Sequence, residues 1–155
     1  MPRPEPIHRS KKKNGIIKAY AALTNHGIIR YSHEYIPRNY NEDRVSILLN
    51  VLKPKQRISE EWPKCSFFAI YDGHGGSFTS DFLKENLHKY IMKQPSFPFE
   101  PTKALIQGFE NAEKEILGLQ LKNKNRSGSC AIVTLIVGDM CYIANVGDSR
   151  AILAM

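Results

Sequence analysis

Apolar and polar positions along the chain mark out strands first, then two helices, then strands again. Residues 16–30, opening Ile16-Ile17-Lys18-Ala19-Tyr20-Ala21-Ala22-Leu23, are apolar and broken by Asn25-His26-Gly27. This predicts a strand, a turn and the start of a second strand. Val45–Leu52 predicts another strand and Pro54–Pro63 a polar loop. The run at 66–71, apolar and of strand length, predicts a buried strand ending at Asp72. After Gly76 the period changes. Phe78, Phe82, Leu87 and Ile91 recur at helical spacing, with Ser77 available as the N-cap, and Pro95 and Pro98 close the helix. Thr102 is the expected cap of a second helix, whose apolar stripe is Leu105, Phe109, Ala112 and Ile116. Both stripes read as core packing. Lys122–Gly128 is a polar loop, followed by strands expected at 129–137, 140–146 and 150–154. Gly138-Asp139 joins the first two, glycine in first position suiting a two-residue hairpin, and Gly147-Asp148-Ser149 joins the last two. Strands flanking two consecutive helices, then an antiparallel meander, indicate an α+β fold.

Composition narrows the function classes. The 155 residues are 42% hydrophobic and 24% charged, ordinary for a globular chain with room for one cored domain. No apolar stretch reaches the roughly 18 residues of a membrane span, and the N-terminus lacks the apolar core of a signal peptide. The net charge of +7 suggests nucleic acid until its distribution is considered. Residues 1–18 hold six Lys/Arg against one Glu, so the rest of the chain is nearly balanced. Pro2, Pro4, Pro6 and Lys11-Lys12-Lys13 mark residues 1–15 as a disordered basic leader, with the domain proper at 16–155. Aromatic platforms interleaved with Lys/Arg are missing, so no nucleic-acid partner is expected, and without an apolar span no membrane partner is expected either. Cys65, Cys130 and Cys141 show no metal-ligand spacing and lie in strand-like runs, as reduced core cysteines of an intracellular protein do.

The candidate chemistry sits at residues 65–76, Cys-Ser-Phe-Phe-Ala-Ile-Tyr-Asp-Gly-His-Gly-Gly. An apolar strand stops on Asp72, and a strand end can hold a carboxylate fixed at the mouth of a cleft. Gly73, without a side chain, lets its carbonyl approach a ligand closely. Carboxylate, bare carbonyl and the His74 imidazole together suit a hard-metal hydrolytic site. Asp-Gly also ends ordinary strands, so this block alone leaves a plain turn open. Two further blocks accompany it: Pro37-Arg38-Asn39-Tyr40-Asn41-Glu42-Asp43-Arg44 before a strand, and Ser127-Gly128-Ser129-Cys130-Ala131 with Ala144-Asn145-Val146-Gly147-Asp148-Ser149-Arg150-Ala151 after it.

In this order the three blocks resemble the metal-dependent serine/threonine phosphatases of the PPM, or protein phosphatase 2C, type, from about Lys18 to the last residue. The resemblance implies two antiparallel sheets packed face to face with helices outside, and two Mg²⁺ or Mn²⁺ ions in a complete domain. It implies that Asp72 bridges the metals, that the Gly73 carbonyl binds one, and that Glu42 and Asp43 sit at the same site, largely through metal-bound waters. It gives Arg38 the grip on substrate phosphate, for which a guanidinium is suited by its two parallel donors. His74 becomes the general acid that protonates the leaving serine or threonine oxygen. Asp148 matches a position beside the metal centre, with a turn-forming aspartate the competing reading. Cys130 stands where many members carry Thr and is assigned no chemistry.

Tyr31–Arg38 resembles an eight-residue insertion between Gly27-Ile28-Ile29-Arg30 and Asn39, which makes Arg30 a second candidate for the phosphate arginine. The chain stops at Met155, about halfway through the family domain, so later aspartates are expected to be missing from it. The resemblance therefore predicts a phosphatase acting on phosphoserine and phosphothreonine proteins, in the cytoplasm with the nucleus left open. The alternative is a truncated, catalytically silent pseudophosphatase that binds phosphoproteins.

Overall fold

The computed structural model describes residues 8–10, 17, 19–25, 28–31, 34–37, 40–57 and 61–154. The central element is the apolar strand β6 (Cys65–Tyr71). Because successive side chains point to opposite faces, Cys65, Phe67, Ala69 and Tyr71 share one face and are buried to 3% exposure or less. β6 lies between β5 (Arg44–Leu48) and β9 (Ala131–Val137), and β9 pairs with β10 (Met140–Val146), giving a four-stranded antiparallel sheet in the order β10-β9-β6-β5. The β9–β10 hairpin turns at Gly138-Asp139 as expected, with Gly138 at φ 56°. β5 ends at Leu48, short of the expected Leu52.

Two helices cover one face of this sheet. α1 (Phe78–Met92) buries Leu83, Leu87 and Ile91 at four-residue spacing, and α2 (Pro101–Asn123) buries Ala104, Leu105, Ala112 and Ile116. These meet Phe67, Tyr71, Val133 and Leu135 in one core cluster. Each large side chain buried there contributes about 1.5–3 kcal/mol. Burial pushes the Cys65 thiol up to about 11 and the Tyr71 phenol up to about 12. Ser46 beside that phenol pulls its pKa back only in part. The Ser46 hydroxyl donates instead to the Lys84 carbonyl, and the phenol has no hydrogen-bond partner of normal geometry.

The helix starts differ from expectation. Ser77 stands at the N-cap of α1 but in helical conformation and makes no side-chain cap bond. The hydroxyl of Ser127, 48 residues on, accepts the Thr79 N–H instead. α2 begins on Pro101 after Glu100, so Thr102 lies inside the helix rather than capping it; proline suits that first turn because its missing N–H would be unpaired there anyway.

On the opposite face, β2 (Tyr20–Ala22) pairs with β1 (His8–Ser10) as a second antiparallel sheet, with the Tyr20 ring 6.3 Å from Phe68. Among the described residues, these two antiparallel sheets and the two helices form the framework of the mixed α/β fold. His8–Ser10 thus form a strand inside the segment expected to be an unstructured leader, the open edge of β2 offering a row of backbone partners. The expected insertion contributes a hairpin: β3 (Ile28–Tyr31) pairs with β4 (Glu34–Pro37), Arg30 lying opposite Tyr35. No strand forms at 150–154; these residues lack regular structure, and Ile152 and Leu153 are 91% and 86% exposed. An apolar run forms a strand only where another strand accepts its hydrogen bonds. None of the described helices is long and apolar enough to cross a membrane.

Candidate functional site

The sheet register assembles the site. β6 pairs with β9 from Cys65↔Val137 to Ile70↔Ile132, and after Asp72 the same register resumes in β7 (Gly73–His74) against β8 (Gly128–Ser129), Gly73↔Ser129 and His74↔Gly128. Between these segments the Cys130 N–H donates to the Asp72 carbonyl at 2.8 Å. On the other side the β5–β6 register runs from Leu48↔Phe67 to Arg44↔Tyr71. Carried two residues further, it sets Asp43 opposite Asp72 and Glu42 opposite Gly73. Neighbouring strands lie about 4.8 Å apart, so residues 29 and 31 positions apart in sequence become adjacent. Glu42, Asp43, Asp72, Gly73 and Cys130 therefore line one end of the sheet, and Asp148, just past the end of β10, joins them there.

Asp72 is exposed, while Gly73 is buried against its neighbours. A Cβ on Gly73 would lie 2.5 Å from the Glu42 carbonyl oxygen and 2.7 Å from Ser80 Oγ. Only glycine allows that approach. Glu42 is held twice: Oε1 accepts the Gly76 N–H at 2.5 Å, and its carbonyl accepts the Ser80 hydroxyl at 2.5 Å. Its carboxylate thus sits at the amino end of α1, where the helix dipole favours negative charge. Asp43 follows an Asx-type turn in which its N–H donates to Asn41 Oδ1 at 2.8 Å. Arg44 closes this wall, its Nε 2.6 Å from Asp81 Oδ1 and one terminal nitrogen donating to the Asn41 and Asp43 carbonyls. Burial raises the Asp81 carboxyl, but hydrogen bonds from Arg44 and Ser77 and the charges of Arg44 and Lys84 outweigh it, for a net lowering.

His74 is exposed, its ring stacked over Gly128 so closely that a Cβ there would overlap Nε2. The ring borders a cavity of about 330 Å³ with Glu113, Gln120 and Ser127. Asp148 accepts the Cys130 thiol through Oδ1 at 3.3 Å. For the Cys130 thiol, the Asp148 backbone hydrogen bond favours ionisation. The hydrogen bond the thiol donates to the Asp148 carboxylate, burial, and the charges of Asp148 and Asp72 oppose it, and the net shift is upward. Arg38 lies outside the described residues. Arg30 is placed in β3 by its backbone, and its side chain is likewise outside them.

The donors at the sheet end are almost all oxygens: the carboxylates of Asp72, Glu42 and Asp43 and the Gly73 carbonyl. That set suits a hard cation such as Mg²⁺ or Mn²⁺. One oxygen of Glu42 is already engaged by Gly76. Among the described residues no three His, Cys, Asp or Glu side chains converge as a ready-made ligand group, so waters would complete any coordination shell. The sequence did not single out Thr79, Ser80, Gln120 or Asn125, whose hydrogen bonds frame the site. Two hydroxyl residues in the first turn of an apolar-striped helix were the available signal.

Comparison with known proteins identifies the family. The family profile described as Protein phosphatase 2C matches residues 38–155. Protein phosphatase 2C homolog 2 of Hypocrea jecorina is 36% identical over 115 residues, covering 74% of this chain and 26% of that protein. Probable protein phosphatase 2C 35 of Arabidopsis thaliana is 39% identical over 95 residues, 60% of this chain and 27% of that one. The chain thus spans about a quarter of the length of these curated relatives. Among solved structures, the serine-threonine phosphatase 2C from Toxoplasma gondii superposes with a TM-score of 0.52 over 82% of this chain and 47% of its own, at 16% identity, a likeness of fold. With three quarters of its length inside the family profile, the chain belongs to the protein phosphatase 2C family.

Proposed function

We propose that the protein carrying this chain is a Mg²⁺- or Mn²⁺-dependent phosphatase of phosphoserine and phosphothreonine proteins, with its metal centre at the end of the four-stranded sheet. The observation that carries this reading is the register that brings Glu42 and Asp43 against Asp72 and Gly73 in a chain of this family. Asp72, the Gly73 carbonyl and Glu42 would hold the cations, Glu42 through its remaining carboxylate oxygen. Bound there, such cations lower the pKa of a coordinated water and neutralise charge on phosphoryl oxygens. Arg38 grips the substrate phosphate through paired N–H donors. In the hydrolysis, the oxygen of water forms a new bond to phosphorus while the bond from phosphorus to the serine or threonine oxygen breaks. His74, at the rim and open to solvent, gives its proton to that leaving oxygen. The free thiols of Cys65, Cys130 and Cys141 suit a reducing compartment, which fits the cytoplasm and equally the nucleus.

The test is turnover of a phosphothreonine peptide. Activity should require Mn²⁺ or Mg²⁺, vanish with EDTA and be abolished by Asp72→Asn. Activity undiminished by EDTA would overturn the reading. Peptide binding without turnover would favour a phosphoprotein-binding pseudophosphatase instead.

A further inference from the structure

The first turn of α1 carries two fully committed hydroxyls that reach in opposite directions. Ser80 is completely buried. Its Oγ lies 2.5 Å from the Glu42 carbonyl and 3.0 Å from the Ser77 carbonyl, so its single proton is held between the strand that carries Glu42 and the start of the helix. Thr79, 5% exposed, reaches the other way. Its hydroxyl donates to the Ser127 carbonyl at 3.0 Å and accepts from Gln120 Nε2 at 3.1 Å. Its N–H donates to Ser127 Oγ, which in turn donates to Asn125 Oδ1 at 2.6 Å. The hydroxyls of Thr79, Ser80 and Ser127 are all paired, and a paired buried network fixes geometry because breaking one member leaves the others unsatisfied.

The two reaches end on the two walls of the site. Ser80 holds the backbone of Glu42, whose carboxylate is tied to Gly76. Thr79 holds Ser127, and the next residue, Gly128, is the floor on which the His74 ring rests. We infer that Thr79 and Ser80 are positioning residues that set the separation between Glu42 and His74, each controlling one wall. The functional meaning rests on the reading of Glu42 and His74 given above. The positioning itself does not, and it is measurable without metal or turnover.

The experiment uses the isotope-labelled 155-residue chain and two local readouts: amide hydrogen exchange at Gly76, which reports the Glu42 carboxylate, and the NMR resonances of the His74 ring, which report its seat on Gly128. Ser80→Ala should speed Gly76 exchange about fivefold, the factor a hydrogen bond of typical strength carries, and leave the His74 ring resonances in place. Thr79→Val should shift the His74 ring resonances toward those of a free imidazole and leave Gly76 exchange unchanged. Thr79→Ser, which keeps the hydroxyl, should restore the wild-type ring resonances. Should Ser80→Ala fail to fold, Ser80→Cys keeps a side-chain donor, weaker than the hydroxyl, and should give the same change at Gly76, smaller in size. The inference is overturned if neither readout moves. It is equally overturned if both move in each variant together with the core amides of Val133 and Leu135, because that pattern is loss of fold rather than of position. Loss of Asp72-dependent turnover is a separate assay, so failure of the phosphatase reading would leave these outcomes untouched.

Discussion

Replacing Gly73 by alanine tests the central claim that the end of β6 is pinned against Glu42. The added Cβ would stand 2.5 Å from the Glu42 carbonyl oxygen, 2.7 Å from Ser80 Oγ and 3.1 Å from Glu42 Cβ. The two shortest contacts are with a backbone carbonyl and a fully buried serine, neither of which can swing aside. β5 or α1 must therefore shift. Forcing one extra carbon into such a place costs about 1–3 kcal/mol. Separating Ser80 from the Glu42 carbonyl removes a hydrogen bond worth about 1 kcal/mol more. The expected loss is thus about 2–4 kcal/mol, read as a lowered urea midpoint at unchanged m-value. Gly118→Ala serves as the control. No described atom lies within 4 Å of its added Cβ, so relief of helix-interior glycine should stabilise by about 0.5–1 kcal/mol. A Gly73→Ala cost below about 1 kcal/mol would refute the reasoning, because it would mean the strand end drifts freely from Glu42.

Further expectations concern other parts of the structure. Gly128→Ala should displace the flexible His74 ring rather than any backbone, so the unfolding midpoint should hardly move while kcat for a phosphopeptide falls; unchanged kcat would remove His74 from the acid role. Asp81 is held below its ordinary 3.8, so its share of stability is present above that value and lost as pH falls through the lowered folded-state pKa. With half its side chain exposed, that share is below about 1 kcal/mol. Arg44→Ala should flatten the stability profile in this acid window, and an unaltered profile would dismiss the ion pair. Under native conditions a thiol reagent should modify exposed Cys141 first, Cys130 more slowly, and buried Cys65 only on unfolding; early loss of Cys65 would contradict the core described. β10 is an open sheet edge with no charged residue from Met140 to Val146, and Ile143 is 57% exposed. Ile143→Lys should therefore raise the concentration at which the chain aggregates, measured by light scattering.

The sequence by itself determined the elements whose signals are local. The run 66–71 had to be a buried strand, Leu83, Leu87 and Ile91 lie on a helix that the spacing from Phe78 already announced, and Gly138-Asp139 could only be a tight hairpin. It also determined the family, because three short blocks in fixed order carry far more information than any one of them. Asp72-Gly73-His74 was legible as candidate chemistry for the same reason, lying within three consecutive residues. What depended on distant partners was decided by the tertiary structure. Capping of α1 passed from Ser77, which is itself in helical conformation and makes no side-chain cap bond, to the distant hydroxyl of Ser127. Residues 150–154 have strand-like composition, but no described strand pairs with them, and backbone hydrogen bonds form between segments rather than within an extended one. Glu42 and Gly73 stand 31 positions apart, and only the register of β5 on β6 makes them neighbours. The clamps from Thr79 and Ser80 were invisible for the same reason. A hydroxyl in a helix declares nothing about its partner until the fold supplies one.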